Sequence, residues 1–354
     1  MADARDTVTL AIDGVTYSGW TGVRISRSIE SIAGEFDLSL TARERLESGR
    51  FPLAAGSAIT LGVGGETLIS GHIDRLSAQY DMRSHVITIS GRDRAGDLAD
   101  CSAIHPTGSW KNTSVEAIAA ELAAPFGIAV TARAPTGAPI KRFALQQGET
   151  VAAAIERLVR YRGLLVVSTP AGAIELISPA SGDPVARLAE GDAILAGIAD
   201  HDVTERFSEY RVKGQSSGDD QVNGRAAAQP AGTARDPAVR RYRPLLVIGE
   251  EQSDRASLGI RAAWEASVRA GRAQRITIGL AGWRRGDGQI WTPNVIVEVD
   301  APSLYVRGPM LVAGVTLQLD QNGTIAELEM SPPGAFTAEP VSEDADASAI
   351  GASA

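Results

Sequence analysis

Gly14-Val15-Thr16-Tyr17-Ser18-Gly19-Trp20 is followed by Val23-Arg24-Ile25-Ser26-Arg27-Ser28-Ile29-Glu30 and by Ala33-Gly34-Glu35-Phe36-Asp37-Leu38-Ser39-Leu40. Val23 and Ile25, then Phe36, Leu38 and Leu40, alternate with polar neighbours, the period of a half-buried strand. The stretch reads as two strands and a tight connection, with no nucleophile motif, metal cluster or phosphate loop. The surrounding residues continue the pattern. Val8, Leu10 and Ile12 alternate before a turn at Asp13-Gly14. Pro52 to Gly56 is a loop, and Ile59, Leu61 and Val63 run into Gly64-Gly65, a hairpin turn of the primed kind. Leu68 to Ile73 and Val86 to Ser90 close the set. Several short strands joined by glycine turns predict a small closed or nearly closed β-barrel, because closure removes exposed edges.

The pattern changes near Trp110. Asn112-Thr113-Ser114 offers a helix cap, and Val115, Ile118, Ala119 and Leu122 recur at helical spacing until Pro125. A second helix follows Gly148-Glu149-Thr150 and carries Val151, Ile155, Leu158 and Val159. Two short apolar segments, Leu164 to Val167 and Ile174 to Ile177, flank a Pro170-Ala171-Gly172 turn. The chain then returns to β at about Ile198, with Val203 to Gly214 reading as a strand. Ser253 can cap a helix over 254–270, and alternating strands follow, ending in a hairpin around Asn322-Gly323. The expectation is a mainly β protein with an α+β insert. A first β-barrel domain occupies 1–100, an α+β domain 101–190, and a second β-barrel domain 191–335. The last contains a long mobile loop, 215–237, and the helix, and a small acidic tail, 336–354, is expected to be disordered. The two β units show no sequence self-similarity, so any repeat between them has to be structural.

At 354 residues, 44% of them apolar and 22% charged, the chain can bury more than one core. Its 43 acidic residues outnumber its 34 basic ones, which argues against nucleic acid as a binding partner. Cys101 is the single cysteine, so no intrachain disulfide can form, and it reads as a small buried apolar group. The amino terminus lacks the apolar run of a signal peptide, and no segment approaches a membrane span. The four histidines, His72, His85, His105 and His201, are scattered singly, without metal-ligand spacing. No nucleophile elbow or phosphate-binding loop is present. The reading is of a non-enzyme with no cofactor and no metal. Two charged segments remain as contact surfaces. Arg92-Asp93-Arg94 alternates signs at a strand exit, where arginine forks can grip carboxylates within the chain or across a boundary. Arg240, Arg241 and Arg243 surround Tyr242 in a basic patch suited to an acidic protein partner. Trp20, Trp264, Trp283 and Trp291 are candidate interface anchors, with core packing as the alternative for each.

The opening stretch, the Gly91 to Ala103 segment, the run from Arg240 through Glu265, Gly282-Trp283-Arg284, Gly288 to Asn294 and the final hairpin occur in an order that resembles the Mu-type phage baseplate hub family. That family is related to the T-even phage hub and to the amino-terminal part of the VgrG spike of type VI secretion. The resemblance spans about Val8 to Phe336. It implies a homotrimeric ring of paired β-barrels in the virion tail baseplate, assembled in the bacterial host cytoplasm and leaving a channel through which DNA passes. The implied partners are further copies of the chain, a central spike protein, tail tube or distal tail proteins, and baseplate wedge proteins, with no membrane insertion. Unlike VgrG, the chain carries no attached spike after Phe336, so the spike is expected to be a separate protein. A hub of a tail-like bacteriocin fits the same residues. Gly148-Glu149-Thr150-Val151 also resembles the start of a peptidoglycan-binding LysM repeat, which keeps a cell-wall-binding or cell-wall-cleaving tail protein as a third reading.

Overall fold

A computed structural model describes residues 6–41, 53–82, 85–160, 162–215, 231–252, 255–321 and 323–337. The amino-terminal unit contains β1 (Val8–Ile12), β2 (Val15–Tyr17), β3 (Gly22–Ser28), β4 (Glu35–Thr41), β5 (Ala58–Val63), β6 (Glu66–Tyr80) and β7 (His85–Asp93). Asp13 and Gly14 both have positive φ, 48° and 78°, as the primed turn between β1 and β2 requires. The alternation seen in the sequence maps onto burial: Phe36 and Leu38 point inward from β4, and Ile87 and Ile89 from β7.

The α+β unit follows with α1 (Gly96–Asp100), β8 (Ser109–Thr113), α2 (Val115–Ala123), β9 (Val130–Ala132), β10 (Ile140–Ala144), α3 (Val151–Arg160), β11 (Leu165–Ser168) and β12 (Ile174–Ile177). Ser114 caps α2 by accepting from the Ala117 N–H at 3.2 Å, and Thr150 accepts from Ala153 N–H at the same distance. The inward faces of α2 and α3 meet in a core built on Ile118, Leu122, Phe143, Ile155 and Leu158. Cys101 is exposed rather than buried. It lies just past α1, where the chain turns extended and the helix's apolar face has already ended at Leu98.

Beyond β13 (Arg187–Ala189) and β14 (Ile194–His201) comes a small module of β15 (Glu209–Gln215), β16 (Ala231–Arg235), β17 (Pro244–Gln252) and α4 (Arg255–Arg272). The strand expected from Val203 starts only at Glu209, because 203–208 turn back toward β16 and β17. Within the expected loop 215–237, residues 231–235 are a strand paired with β15. Residues 216–230 of that loop lie outside the described residues, as do Pro52, the Ser253 cap with Asp254, Asn322 and the tail from 338. Phe336, placed at the start of the disordered tail by its composition, instead ends a short 3-10 turn and packs partly buried against Ile29 and Leu311.

Gly232 lets the module close. A Cβ there would lie 2.1 Å from the Leu258 carbonyl carbon, in the backbone of α4. Gly232→Ala is therefore expected to cost about 1–3 kcal/mol by pushing α4 off Tyr210 and Val212. Protease cleavage within 206–263 should accelerate; unchanged cleavage would show that the contact is slack.

The chain finishes with β18 (Gln274–Ala281), β19 (Val295–Ala301), β20 (Val306–Asp320) and β21 (Gly323–Ser331). The two expected barrels are not separate closed barrels. A 13-stranded sheet runs in the order β14-β18-β21-β20-β3-β4-β7-β6-β5-β1-β2, with β19 and β13 branching from β20, and it does not return on itself. The reason lies in β20. Its first half pairs with β19, a bulge at Ala313 bends it, and its second half pairs with β3 of the amino-terminal unit. One core serves both units: Leu38, Ile69 and Ile89 from the first share it with Ile276, Val299 and Leu328 from the second.

The two units nevertheless repeat one topology. β3-β4-β7-β6-β5 and β14-β18-β21-β20-β19 have the same strand neighbours in the same chain order. The β6 bulge at Asp74 matches the β20 bulge at Ala313. Ile73 opposite Gly91 corresponds to Val312 opposite Met330, the same offset of 239 residues on both strands.

A candidate assembly surface

The tryptophans separate into two groups. Trp283 is wholly buried, and its indole N–H donates to the carbonyls of Gln318 at 2.9 Å and Ile325 at 3.1 Å. Trp20 and Trp291 are buried in the same shared core. In this conformation these three have almost no face to offer a partner; they anchor the sheet to itself. Trp264 differs. It is half-buried on α4, donates to the Thr337 carbonyl at 2.8 Å, and carries the Arg261 guanidinium 4.8 Å above its ring. It lines an open cleft with Ile32, Val159, Arg160 and Phe336.

Arg92, Asp93 and Arg94 stand at the joint between β7 and α1, and each faces a different way. Arg92 forks between Asp74 at 2.7 Å and Asp100 at 2.6 Å on the surface. The hydrogen bonds it donates to Asp100 and Asp74 push its already high pKa further up. Asp93 is buried and accepts from the backbone N–H of Gly34 at 2.6 Å and of Ala95 at 3.0 Å. Burial pushes its carboxyl pKa up, opposed by hydrogen bonds from Ser168, Gly34 and Ala95 and by the charge of Arg27. Arg27 of β3 is itself lowered by burial, and it donates to the Ser168 carbonyl at 2.6 Å. Asp93 and Arg27 thus lock the α+β unit to the amino-terminal sheet. Arg94 lies half-buried against Gly172 and Gly127 of the α+β unit.

Arg240 and Arg241 are exposed on the small module beside Tyr242, which is 80% exposed. Arg243 is held back: its guanidinium lies 5.2 Å from the Phe207 ring centroid and donates to the Thr204 carbonyl at 2.6 Å. The ten candidates are therefore not brought together into one patch. Among the described residues, no group of three or more His, Cys, Asp or Glu is placed to hold a metal ion. No described helix is long and apolar enough to cross a membrane.

Two groups of exposed apolar side chains that the sequence reading passed over lie at the margins of the large sheet. Leu195, Ile198 and Val203 stand on or just after β14, whose one strand partner among the described residues is β18. Tyr80, Met82 and Val86 stand at the β6-β7 hairpin. The available signal was faint, a short apolar run from Ile194 to Ile198 with small residues at Ala196 and Gly197.

Comparison with known proteins accounts for this arrangement. Four domain families match in order along the chain: "Mu phage baseplate assembly protein GpP-like, N-terminal" over 7–93, "Baseplate hub protein gp44-like, second domain" over 95–178, "Tail protein NMB1110-like, third domain" over 206–263, and "Mu phage baseplate assembly protein GpP, fourth domain" over 255–339. The baseplate hub protein gp44 of Escherichia phage Mu is 36% identical over 350 residues, covering 96% of this chain and 91% of the relative. The chain belongs to the Mu-type baseplate hub family. The hub-family fold extends to the crystal structure of the 43 kDa tail protein of prophage MuSo2 from Shewanella oneidensis, at 29% identity and a TM-score of 0.84, covering 94% of this chain and all of that one. A tail protein from Neisseria meningitidis MC58 shares the fold with a TM-score of 0.79 at 24% identity, over 94% of this chain and 98% of that one. The hub chain is accordingly a structural protein of the virion tail, located in the baseplate.

Proposed function

We propose that this hub chain forms a homotrimeric, non-catalytic ring that joins the tail tube to the central spike and leaves a channel for DNA. The observation that carries the reading is the repeated topology: each copy contains two similar β units, so three copies supply six similar positions around an axis. Such a ring meets a sixfold tube on one face and a threefold spike on the other. The remaining surfaces, among them the exposed Arg240-Arg241-Tyr242 patch, are then free for distal tail and wedge proteins. Closure requires a head-to-tail contact in which each copy presents two different complementary surfaces. The same ring serves a tail-like bacteriocin as well as a phage.

Light scattering of the purified protein over a range of concentrations tests the ring. The expected mass is that of three 37.0 kDa chains. A monomer that stays monomeric at every concentration, and also when mixed with a candidate spike protein, would overturn the reading.

A further inference from the structure

The two β units differ in one respect that the repeat makes meaningful. In β20, the segment after the bulge is buried because β3 pairs with it: Gly314 lies opposite Ser28, Thr316 opposite Ser26, and Leu319 opposite Val23. Its counterpart in β6, Arg75 to Tyr80, pairs with β7 on one side. On the other side it has no strand partner among the described residues, since β5 reaches only to His72. The consequence is visible in burial. Val315 and Leu317 are 4% and 3% exposed and Leu319 is half-buried, whereas their counterparts Leu76, Ala78 and Tyr80 are half-buried, exposed and 85% exposed in turn.

The counterpart of β3 is β14. Matching Val23 opposite Leu38 to Gly197 opposite Ile278, and Ile25 opposite Phe36 to Ala199 opposite Ile276, aligns the two strands residue by residue. β14 also ends the sheet; apart from an isolated bridge between Ile194 and Glu190, its outer edge has no strand partner among the described residues. Ile29, just past β3, is 4% exposed and donates its N–H to the Ala313 carbonyl at 2.8 Å. Its counterpart Val203 is 48% exposed. Each unit therefore lacks what the other has: the amino-terminal unit has an open acceptor edge on β6, and the second unit has an open β14.

We propose that β14 of one copy pairs antiparallel with the outer half of β6 in the next copy, in the register of the internal β3–β20 pair. That register sets Asp202 opposite Arg75, Asp200 opposite Ser77, Ile198 opposite Gln79 and Gly197 opposite Tyr80. It brings an acidic residue to a basic one at one end of the ladder and covers Val203 as Ile29 is covered. The occupant of each edge is a second copy of this chain, because the complementary strand is already present on the chain and an equivalent joint is already made within it. The contact is head-to-tail, so every copy gives one edge and takes one, and the joint between copies repeats the joint inside each copy. The inference rests on the ring reading and names the strands that close the ring.

Paired cysteines test it. The side-chain oxygens of Ser26 and Thr316 lie 3.1 Å apart across the internal pair, so Asp200→Cys with Ser77→Cys, in a Cys101→Ser background, places two thiols within disulfide reach across the joint. Mild oxidation of the double variant should convert monomer into covalent dimer and trimer on a denaturing gel, while each single variant stays monomeric. Hydrogen exchange of the unaltered chain gives the second readout: amides of 75–80 and 197–203 should be protected in the oligomer. An oligomer of the expected mass with no cross-link and with fast exchange at both edges would overturn the strand pairing and leave the ring standing. A monomer under all conditions, with neither signal, would overturn both.

Discussion

Trp283→Ala is expected to destabilise the protein by about 3–5 kcal/mol, the range for removing a fully buried large aromatic side chain. Trp283 contributes in two ways. It fills space in the core that the two β units share. Its indole N–H also serves the carbonyls of Gln318 on β20 and Ile325 on β21, at the end of the hairpin that holds the units together. The two contributions separate with Trp283→Phe, which retains most of the apolar area but supplies no donor; about 1–2 kcal/mol of the loss should remain. Urea unfolding followed by far-ultraviolet circular dichroism reads both. Equal losses for the two variants would mean that the hydrogen bonds, not the packing, carry the stabilisation.

Asp93→Ala is the second substitution with a large expected effect, again about 3–5 kcal/mol, because it removes a buried acceptor from two backbone N–H groups and the nearby negative charge from Arg27. The N–H groups of Gly34 and Ala95 would lose their acceptor, and the half-buried Arg27 would lose a nearby negative charge. Its sequence neighbour provides the control. Arg92 pairs with Asp74 and Asp100 at the surface, where water and salt screen the gain, so Arg92→Ala should cost no more than about 1 kcal/mol. pH supplies a further readout. Because the folded-state pKa of Asp93 is raised, the folded chain takes up its proton before the unfolded chain does. The stability linked to this group is then fully present below the unfolded-state pKa and is lost as pH rises through the folded one. The gap between wild type and Asp93→Ala should therefore widen as the solution is acidified from neutrality. A gap that narrows would mean that the hydrogen bonds outweigh burial and that the carboxyl is in fact depressed.

Much of the local structure was legible because it depends on neighbours in the chain. The alternation at Phe36, Leu38 and Leu40, the Asp13-Gly14 turn and the Ser114 cap are each decided within a few residues. The charged segment at Arg92-Asp93-Arg94 was legible as a place of consequence but not in its roles. Alternating charge cannot tell which member is buried, since that depends on Gly34, Arg27 and Ser168, which are distant in sequence. The tryptophans show the same limit. Trp283 and Trp264 look alike as exposed-anchor candidates until the hairpin of β20 and β21 closes over one and leaves the other on a helix flank.

The sequence by itself determined that this is a β-rich chain with an α+β insert, and the order of its segments pointed to the baseplate hub family. Period and turn chemistry are local properties, and motif order survives when individual motifs are weak. Only the tertiary structure decided that the two β units share one core, that they repeat one topology without repeating their residues, and that neither closes on itself. Strand pairing is a contact between distant residues, and a bulge at Ala313 can send one half of β20 to a partner that the sequence does not mark. For the same reason only the fold reveals the two open edges, β14 and the outer half of β6, whose shared geometry lies in backbone register and not in side-chain identity.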